Sequence, residues 1–196
     1  IWARFCFNHD MEFIWEYRSL LLSGTAVTIQ LALASLALSV LFGLVGAAAK
    51  LSANRIGKRA ANAYTTLIRG VPDLVLMMLL FYGGQQIVND LGSVTGLWSY
   101  IEINQFTAGV GSIGFVFGAY MTETFRGAIL AIPRGQIEAG ISCGMTPLTI
   151  FRRITWPQMV RHALPSFTNN WLVLIKATAL VSVIGLHDLV WNAATA

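Results

Sequence analysis

Three ionisable side chains lie within long apolar stretches of this sequence: Asp73, Glu123 and Lys176. A charge in hydrocarbon costs roughly 2.5 to 3.5 kcal/mol on insertion scales, so such residues usually face the interior of a helix bundle, where they mark a pathway or pair with one another. One hypothesis is that Glu123 or Asp73 attracts a cationic solute. On that hypothesis Lys176 binds the carboxylate of the solute, assisted by Asn170 and Thr178. The sequence leaves open the alternative that Lys176 neutralises Glu123 or Asp73 between helices.

Motifs for other kinds of chemistry are missing from the sequence. No Walker A pattern surrounds Lys50, Lys58 or Lys176, so any nucleotide-driven step needs a partner that binds the phosphates. An HExxH pattern is absent, and the two cysteines, Cys6 and Cys143, lack metal-ligand neighbours. We therefore expect no catalytic residue, no metal and no cofactor on this chain, and no nucleic-acid partner.

The elements that must position these charges are transmembrane helices. The chain of 196 residues is 56% hydrophobic and only 11% charged, whereas soluble domains are about 25% charged. Four apolar runs are long enough to cross about 30 Å of hydrocarbon at 1.5 Å per residue. They cover residues 19–49, 64–87, 106–130 and 163–185, and a fifth begins at 188 and is cut off by the end of the sequence. The sequence thus predicts one all-α domain, a polytopic transmembrane helix bundle over residues 1–196.

Glycine and proline predict how two of these runs are built. Gly70 and Pro72 are expected to kink the second run, because proline removes a helical hydrogen bond. Arg69 precedes Asp73 by four residues, which is the spacing of a helical ion pair. The third run has a face of small residues that suits tight helix packing, formed by Gly109, Gly111, Gly114 and Gly118.

The basic residues predict the orientation of the chain. Nine of the 13 lie in two segments between runs or, for Arg126, near the adjoining end of the third run: Lys50, Arg55, Lys58, Arg59, Arg126, Arg134, Arg152, Arg153 and Arg161. The loop of residues 83–105 has neither Lys nor Arg, so the positive-inside rule places it outside and the two basic segments in the cytoplasm. The amino terminus is then outside too. No cleavable signal pattern precedes the first run, which is expected to remain as an anchor.

The cytoplasmic segment of residues 131–161 is predicted to contain two short helices. Pro133 favours a helix start, and Gly144 offers a left-handed cap at the end of the first helix. Thr146 and Pro147 supply the N-cap and first turn of a second helix, which Pro157 is expected to end. Such an angled pair could dock on a partner or could pack only on its own transmembrane helices.

The same segment resembles the EAA motif of ABC importer permeases. That motif reads Glu, Ala, Ala, three of any residue, Gly, nine of any, Ile, any, Leu, Pro. Five residues fall in register: Glu138, Ala139, Gly144, Ile154 and Pro157. Gly140 replaces the second Ala, and Trp156 replaces the Leu. The resemblance implies that these residues, Gly140 included, form the coupling helix region that docks on an ATPase subunit.

Three further segments are similar to polar-amino-acid permeases of the Q type, the family that serves histidine and lysine-arginine-ornithine import: RGVPDLVLMMLLFYGGQ (69–85), GAYMTETFRGAI (118–129) and NNWLVLIKATALVSVIGLHDLV (169–190). The resemblance implies a MetI-like fold of the type I ABC importers. It also implies a multi-pass protein of the bacterial inner membrane that moves amino acids, chiefly basic ones and histidine, by alternating access.

The partners that this resemblance implies are ABC ATPase subunits, which hold ATP and Mg²⁺, and an external or periplasmic solute-binding protein. A second permease subunit is also implied, either an M-type sister chain or a second copy. An ion-driven secondary transporter or a channel remains the alternative, because it too would place charges within the bilayer.

Overall fold

The computed structural model describes residues 18–96, 100–184, 186 and 188–195. The described helices, in chain order, are α1 (Arg18–Leu51), α2 (Arg55–Arg69), α3 (Asp73–Thr95), α4 (Gln105–Leu130), α5 (Arg134–Ser142), α6 (Pro147–Ile150), α7 (Trp156–Thr178) and α8 (Leu189–Thr195). A π-helical turn, Phe151–Thr155, joins α6 to α7, and a 3₁₀ segment, Ala179–Ile184, follows α7. No strand occurs in these ranges, so the all-α prediction is confirmed for the described residues.

The two longest described helices, α1 and α4, pack together through glycine. A Cβ placed on Gly43 of α1 would lie 2.5 Å from the Cβ of Met121 on α4, so no larger residue fits without movement. The predicted small-residue face of α4 is confirmed at three of its four glycines, which contact large side chains: Gly109, Gly114 and Gly118. Gly111 has open space where a Cβ would lie. Because small residues let the two helix backbones approach closely, α1 packs against α4 over much of the length of α4.

The second apolar run is not one kinked span. Helix α2 ends at Arg69 and a new helix begins at Asp73, so the expected kink within one helix is wrong, and the membrane-span limits of 64 and 87 remain a prediction. Pro72 has an extended ψ of 135° and is the N-cap residue of the next helix, because it cannot donate the hydrogen bond that would continue the first. As a result, Arg69 and Asp73 lie on different helices and the i,i+4 geometry expected for them is lost.

Two described helices are long and apolar enough to cross a membrane by length and composition alone, α1 and α3. Helices α4 and α7 have 26 and 23 residues, and crossings by these two remain predictions. Helix α8 begins near residue 188, where the fifth run was expected. The predicted position of the amino terminus concerns residues 1–17, which lie outside the described ranges.

Buried apolar side chains cover most of α4 and leave one stripe open. Ile113, Val116 and Phe117 lie in a core shared with α1 and α7, and all three are at most 2% exposed. The stripe of Tyr120, Glu123, Thr124 and Gly127 recurs at helical spacing and is partly or fully exposed. It is this stripe that brings the polar groups of α4 together.

Candidate substrate cavity and coupling surface

A polar cavity of about 490 Å³ lies where the open stripe of α4 faces the end of α2 and the middle of α7. Eight residues line it: Arg69, Tyr120, Glu123, Thr124, Pro165, Ser166, Asn169 and Asn170. One carboxylate, one guanidinium, two amides and three hydroxyls therefore face the same space. This set can bind both a positive and a negative group on one small polar solute.

Glu123 is held by two cations at the cavity wall. Its Oε1 accepts a hydrogen bond from Lys50 Nζ, and its Oε2 lies 3.2 Å from Arg126 Nε. Lys50 is only 8% exposed and also donates to Thr65 Oγ1 at 2.6 Å. In the described part of the chain, the alternative that Lys176 neutralises Glu123 is therefore wrong, because Lys50 and Arg126 occupy that role.

Sequence reasoning missed Lys50 as part of the site. Its position directly after the first apolar run favours the interpretation of Lys50 as a surface cation that sets the orientation. Glu123 lies 73 residues further along the chain. No local pattern joins two residues at that separation, so only the packing of α1 on α4 reveals the pair.

Tyr120 links the two helices that Pro72 separates. Its hydroxyl donates to Asp73 Oδ1 at 3.4 Å, and the guanidinium of Arg69 lies 5.6 Å from the centre of its ring. In the described ranges Arg69 and Asp73 form no ion pair, contrary to their helical spacing. Asp73 thus borders the cavity through Tyr120, and Arg69 lines it directly.

The remaining predicted pathway residues lie on α7. Asn170 lines the cavity and donates from Nδ2 to Thr124 Oγ1 at 3.0 Å. Thr178 is 1% exposed and donates to the carbonyl of Ile175, so its hydroxyl faces its own helix instead. Lys176 is exposed and does not line this cavity.

The helix pair predicted for residues 131–161 is present. Helix α5 ends in a Schellman motif, in which Gly144 has φ +73° and Met145 N donates to Gly140 O at 3.0 Å. Thr146 caps α6 through its side chain and Pro147 occupies the first turn. These features confirm the capping pattern derived from the sequence.

The prediction that Pro157 ends the second helix is wrong. The chain continues without a break from α6 through the π-helical turn into α7, and Pro157 lies in the first turn of α7. A proline inside a helix crowds the carbonyl four residues earlier and lacks an N–H. The preceding π-helical turn, Phe151–Thr155, changes the local hydrogen bonding and accommodates the proline.

Contacts within the loop explain part of the EAA spacing. Gly140 is buried, and a Cβ at this position would lie 3.0 Å from Ile154 Cδ1 and 3.2 Å from Ile150 Cγ1. Residues 140 and 154 of the motif therefore hold α5 against the second helix. The outer side of the pair is open: Ile141 and Leu148 are 61% and 75% exposed, and Glu138 and Ala139 are exposed as well.

Two helices that could cross a membrane, a charged cavity between α2, α4 and α7 and an exposed angled helix pair are features expected of a solute permease. The sequence profile of the binding-protein-dependent transport system inner membrane components matches residues 39–196. The chain belongs to this family. It is thus an inner membrane transport subunit, which confirms the predicted class and removes the support for an ion-driven transporter or channel.

Individual relatives refine this assignment. The histidine/lysine/arginine/ornithine transport system permease protein HisQ of Salmonella typhimurium is 52% identical over 177 residues, which is 90% of this chain and 77% of the relative. The crystal structure of an amino acid ABC transporter with histidines is 34% identical, with a TM-score of 0.78 over 93% of this chain and 79% of that one. The predicted resemblance to Q-type permeases of polar-amino-acid ABC importers is confirmed.

A more distant structure supports the fold alone. An inward-facing form of the MetNI methionine ABC transporter is 22% identical, with a TM-score of 0.68 over 86% of this chain and 76% of that one. The predicted MetI-like, all-α permease fold is confirmed.

Proposed function

We propose that this chain carries cationic amino acids and histidine across the inner membrane and that the cavity at Glu123 is a binding site on their path. The carboxylate of Glu123 in a polar cavity is the observation that carries the proposal, because a cationic side chain needs such a partner away from water. The naming of HisQ for histidine, lysine, arginine and ornithine transport supports the substrate class.

The groups around Glu123 match the rest of an amino acid. Arg69 lines the same cavity, and its guanidinium is suited to a carboxylate, so we assign it the role first expected of Lys176. Asn169 and Asn170 offer amide donors and acceptors between the two charged groups. Lys176 lies seven residues, or two helical turns, after Asn169 and hence on the same side of α7, where it extends the path beyond the cavity.

Transport through this path depends on partners. The exposed outer side of α5 and α6, with Glu138 and Ala139, is the surface proposed to dock on an ABC ATPase that binds ATP and Mg²⁺. A second permease subunit completes the pathway, and a solute-binding protein delivers the amino acid from outside. The chain itself crosses the membrane several times, with α1 and α3 as its most apolar helices.

Uptake by the reconstituted importer tests the role of Glu123. Glu123→Gln removes the charge and nearly preserves the shape, so uptake of arginine and lysine should need roughly 10- to 100-fold more substrate, since hydrogen bonds to charged groups contribute about 1.5 to 3 kcal/mol. Asp90→Asn is the matched control, because Asp90 is an exposed carboxylate that does not line the cavity. Unchanged arginine and lysine uptake in Glu123→Gln would refute the proposal.

Pull-down of the ATPase tests the coupling surface separately. Leu148→Asp places a charge on the exposed side of α6 and should weaken ATPase capture without altering the fold of the loop, because Leu148 is 75% exposed. Capture at the wild-type level would mean that the ATPase docks elsewhere.

A further inference from the structure

Lys50 is a buried cation at a place where surface cations are expected. It lies in the last turn of α1, yet its side chain is only 6% exposed. Burying an ammonium group is costly unless it is paired and hydrogen-bonded, and Lys50 meets both conditions through Glu123 and Thr65. A residue that served only to orient the chain in the membrane would not need this environment.

The contacts of Lys50 fix the position of Glu123. Thr65 accepts from Lys50 at 2.6 Å and lies within 3.1 Å of the carbonyl of Ala61, to which it donates, so the ammonium is attached to α2 as well as α1. Glu123 belongs to α4 and faces the cavity. Lys50 therefore holds the carboxylate at the point where three helices meet.

The two cations on Glu123 differ in how easily they can leave it. The side chain of Arg126 is 37% exposed and can turn towards water, whereas that of Lys50 is 6% exposed and has nowhere to go without movement of α1. An incoming cation can thus replace Arg126 but must share Glu123 with Lys50. Two cations on one carboxylate repel each other, so the second binds more weakly than it would to a free carboxylate.

We propose that Lys50 is a positioning residue that orients Glu123 and limits the affinity of the cavity for cationic amino acids, so that they leave it readily. This inference rests on the proposed role of Glu123 in substrate binding. A transporter gains nothing from a site that binds its solute too tightly, because release then limits the rate. A permanent buried counter-ion is a simple way to weaken such a site without losing its selectivity for positive charge.

Direct binding and uptake by the purified importer, with its ATPase and permease partners, test this role. Lys50→Gln should bind L-arginine roughly tenfold more tightly and transport it with a lower kcat and a lower KM, because one repelling charge is gone. Neutral histidine at pH 8 should bind with unchanged affinity. Lys50→Arg keeps the charge and should retain wild-type behaviour. Lys58→Gln, which removes an exposed cation from the same basic segment, should also match the wild type.

The single variants Glu123→Gln and Lys50→Gln, together with the double variant, separate this inference from the proposed function. If Glu123→Gln alone leaves L-arginine binding unchanged, the proposed role of Glu123 fails. If Glu123→Gln weakens L-arginine binding but Lys50→Gln does not strengthen it, the proposal for Lys50 is overturned. An equal loss of binding affinity for arginine and for neutral histidine in Lys50→Gln also overturns the proposal, because a purely structural ion pair would give that result. In the Glu123→Gln background, Lys50→Gln should have no further effect on arginine selectivity.

Discussion

Replacing Gly43 by alanine tests whether the close contact of α1 and α4 sets the geometry of the cavity. The new Cβ would lie 2.5 Å from Met121 Cβ and 3.0 Å from both the Met121 carbonyl carbon and Phe125 Cε2. Ordinary carbon contacts are about 3.5 Å or longer, so the two helices must separate by about 1 Å. Overpacking of this kind costs about 1 to 3 kcal/mol, and Met121 cannot yield easily because it is fully buried.

The same movement should reach the cavity at Glu123. Glu123 follows Met121 by two residues, and Lys50 lies two turns beyond Gly43 on α1. A separation of the helices at Gly43 therefore pulls Lys50 away from Glu123. We expect Gly43→Ala to lower the thermal stability of the purified complex and to alter L-arginine binding together.

Thermal unfolding in detergent, with matched glycine variants, measures the effect. Gly111→Ala and Gly127→Ala place the same methyl group on α4 where nothing lies within 4 Å. These controls should be neutral or up to about 1 kcal/mol more stable, because alanine favours a helix over glycine. Gly43→Ala should be less stable than both controls by about 1 to 3 kcal/mol. Equal stability of the three variants would refute the reasoning that α1 and α4 pack too closely for a Cβ at this point.

Three further predictions follow from the loop and from α2. Gly140→Leu should force α5 away from Ile154 and reduce ATPase capture in a pull-down, whereas Gly140→Ala needs a shift of only a few tenths of an ångström and should keep capture near the wild-type level. Gly144→Ala should destabilise residues 131–161 by about 1 to 2 kcal/mol, because Gly144 has a φ of +73° that alanine adopts only with strain. Gly135→Ala is the control and should have no such effect, because open space surrounds Gly135. A lower rate of ATP-coupled uptake in Gly144→Ala but not in Gly135→Ala checks this prediction. Tyr64→Phe removes a hydrogen bond to a backbone carbonyl of α4 and should lower thermal stability by about 1 kcal/mol, and an unchanged melting temperature would contradict it.

Local chemistry explains why the helix pair of residues 131–161 was predictable. Gly144, Thr146 and Pro147 each act within a few residues of themselves, through a left-handed backbone, a side-chain cap and a fixed φ. Pro157 was misjudged because its effect depends on the π-helical turn before it, which no capping rule foretells. At Pro72 the opposite error occurs. This proline is expected to kink one helix, but the chain forms two separate helices on either side of it.

Composition and short-range pattern in the sequence determined a helical membrane protein with a capped helix pair, and the resemblance of residues 138–157 to the EAA motif indicated an ABC importer permease. Only the tertiary structure decided which charges share a site. Lys50 and Glu123 are 73 residues apart and meet because glycines let α1 and α4 approach closely, while Lys176 carries the same charge as Lys50 but projects from an exposed face of α7. Periodicity predicts which face of a helix a residue occupies, whereas the partner of that face depends on how the helices pack.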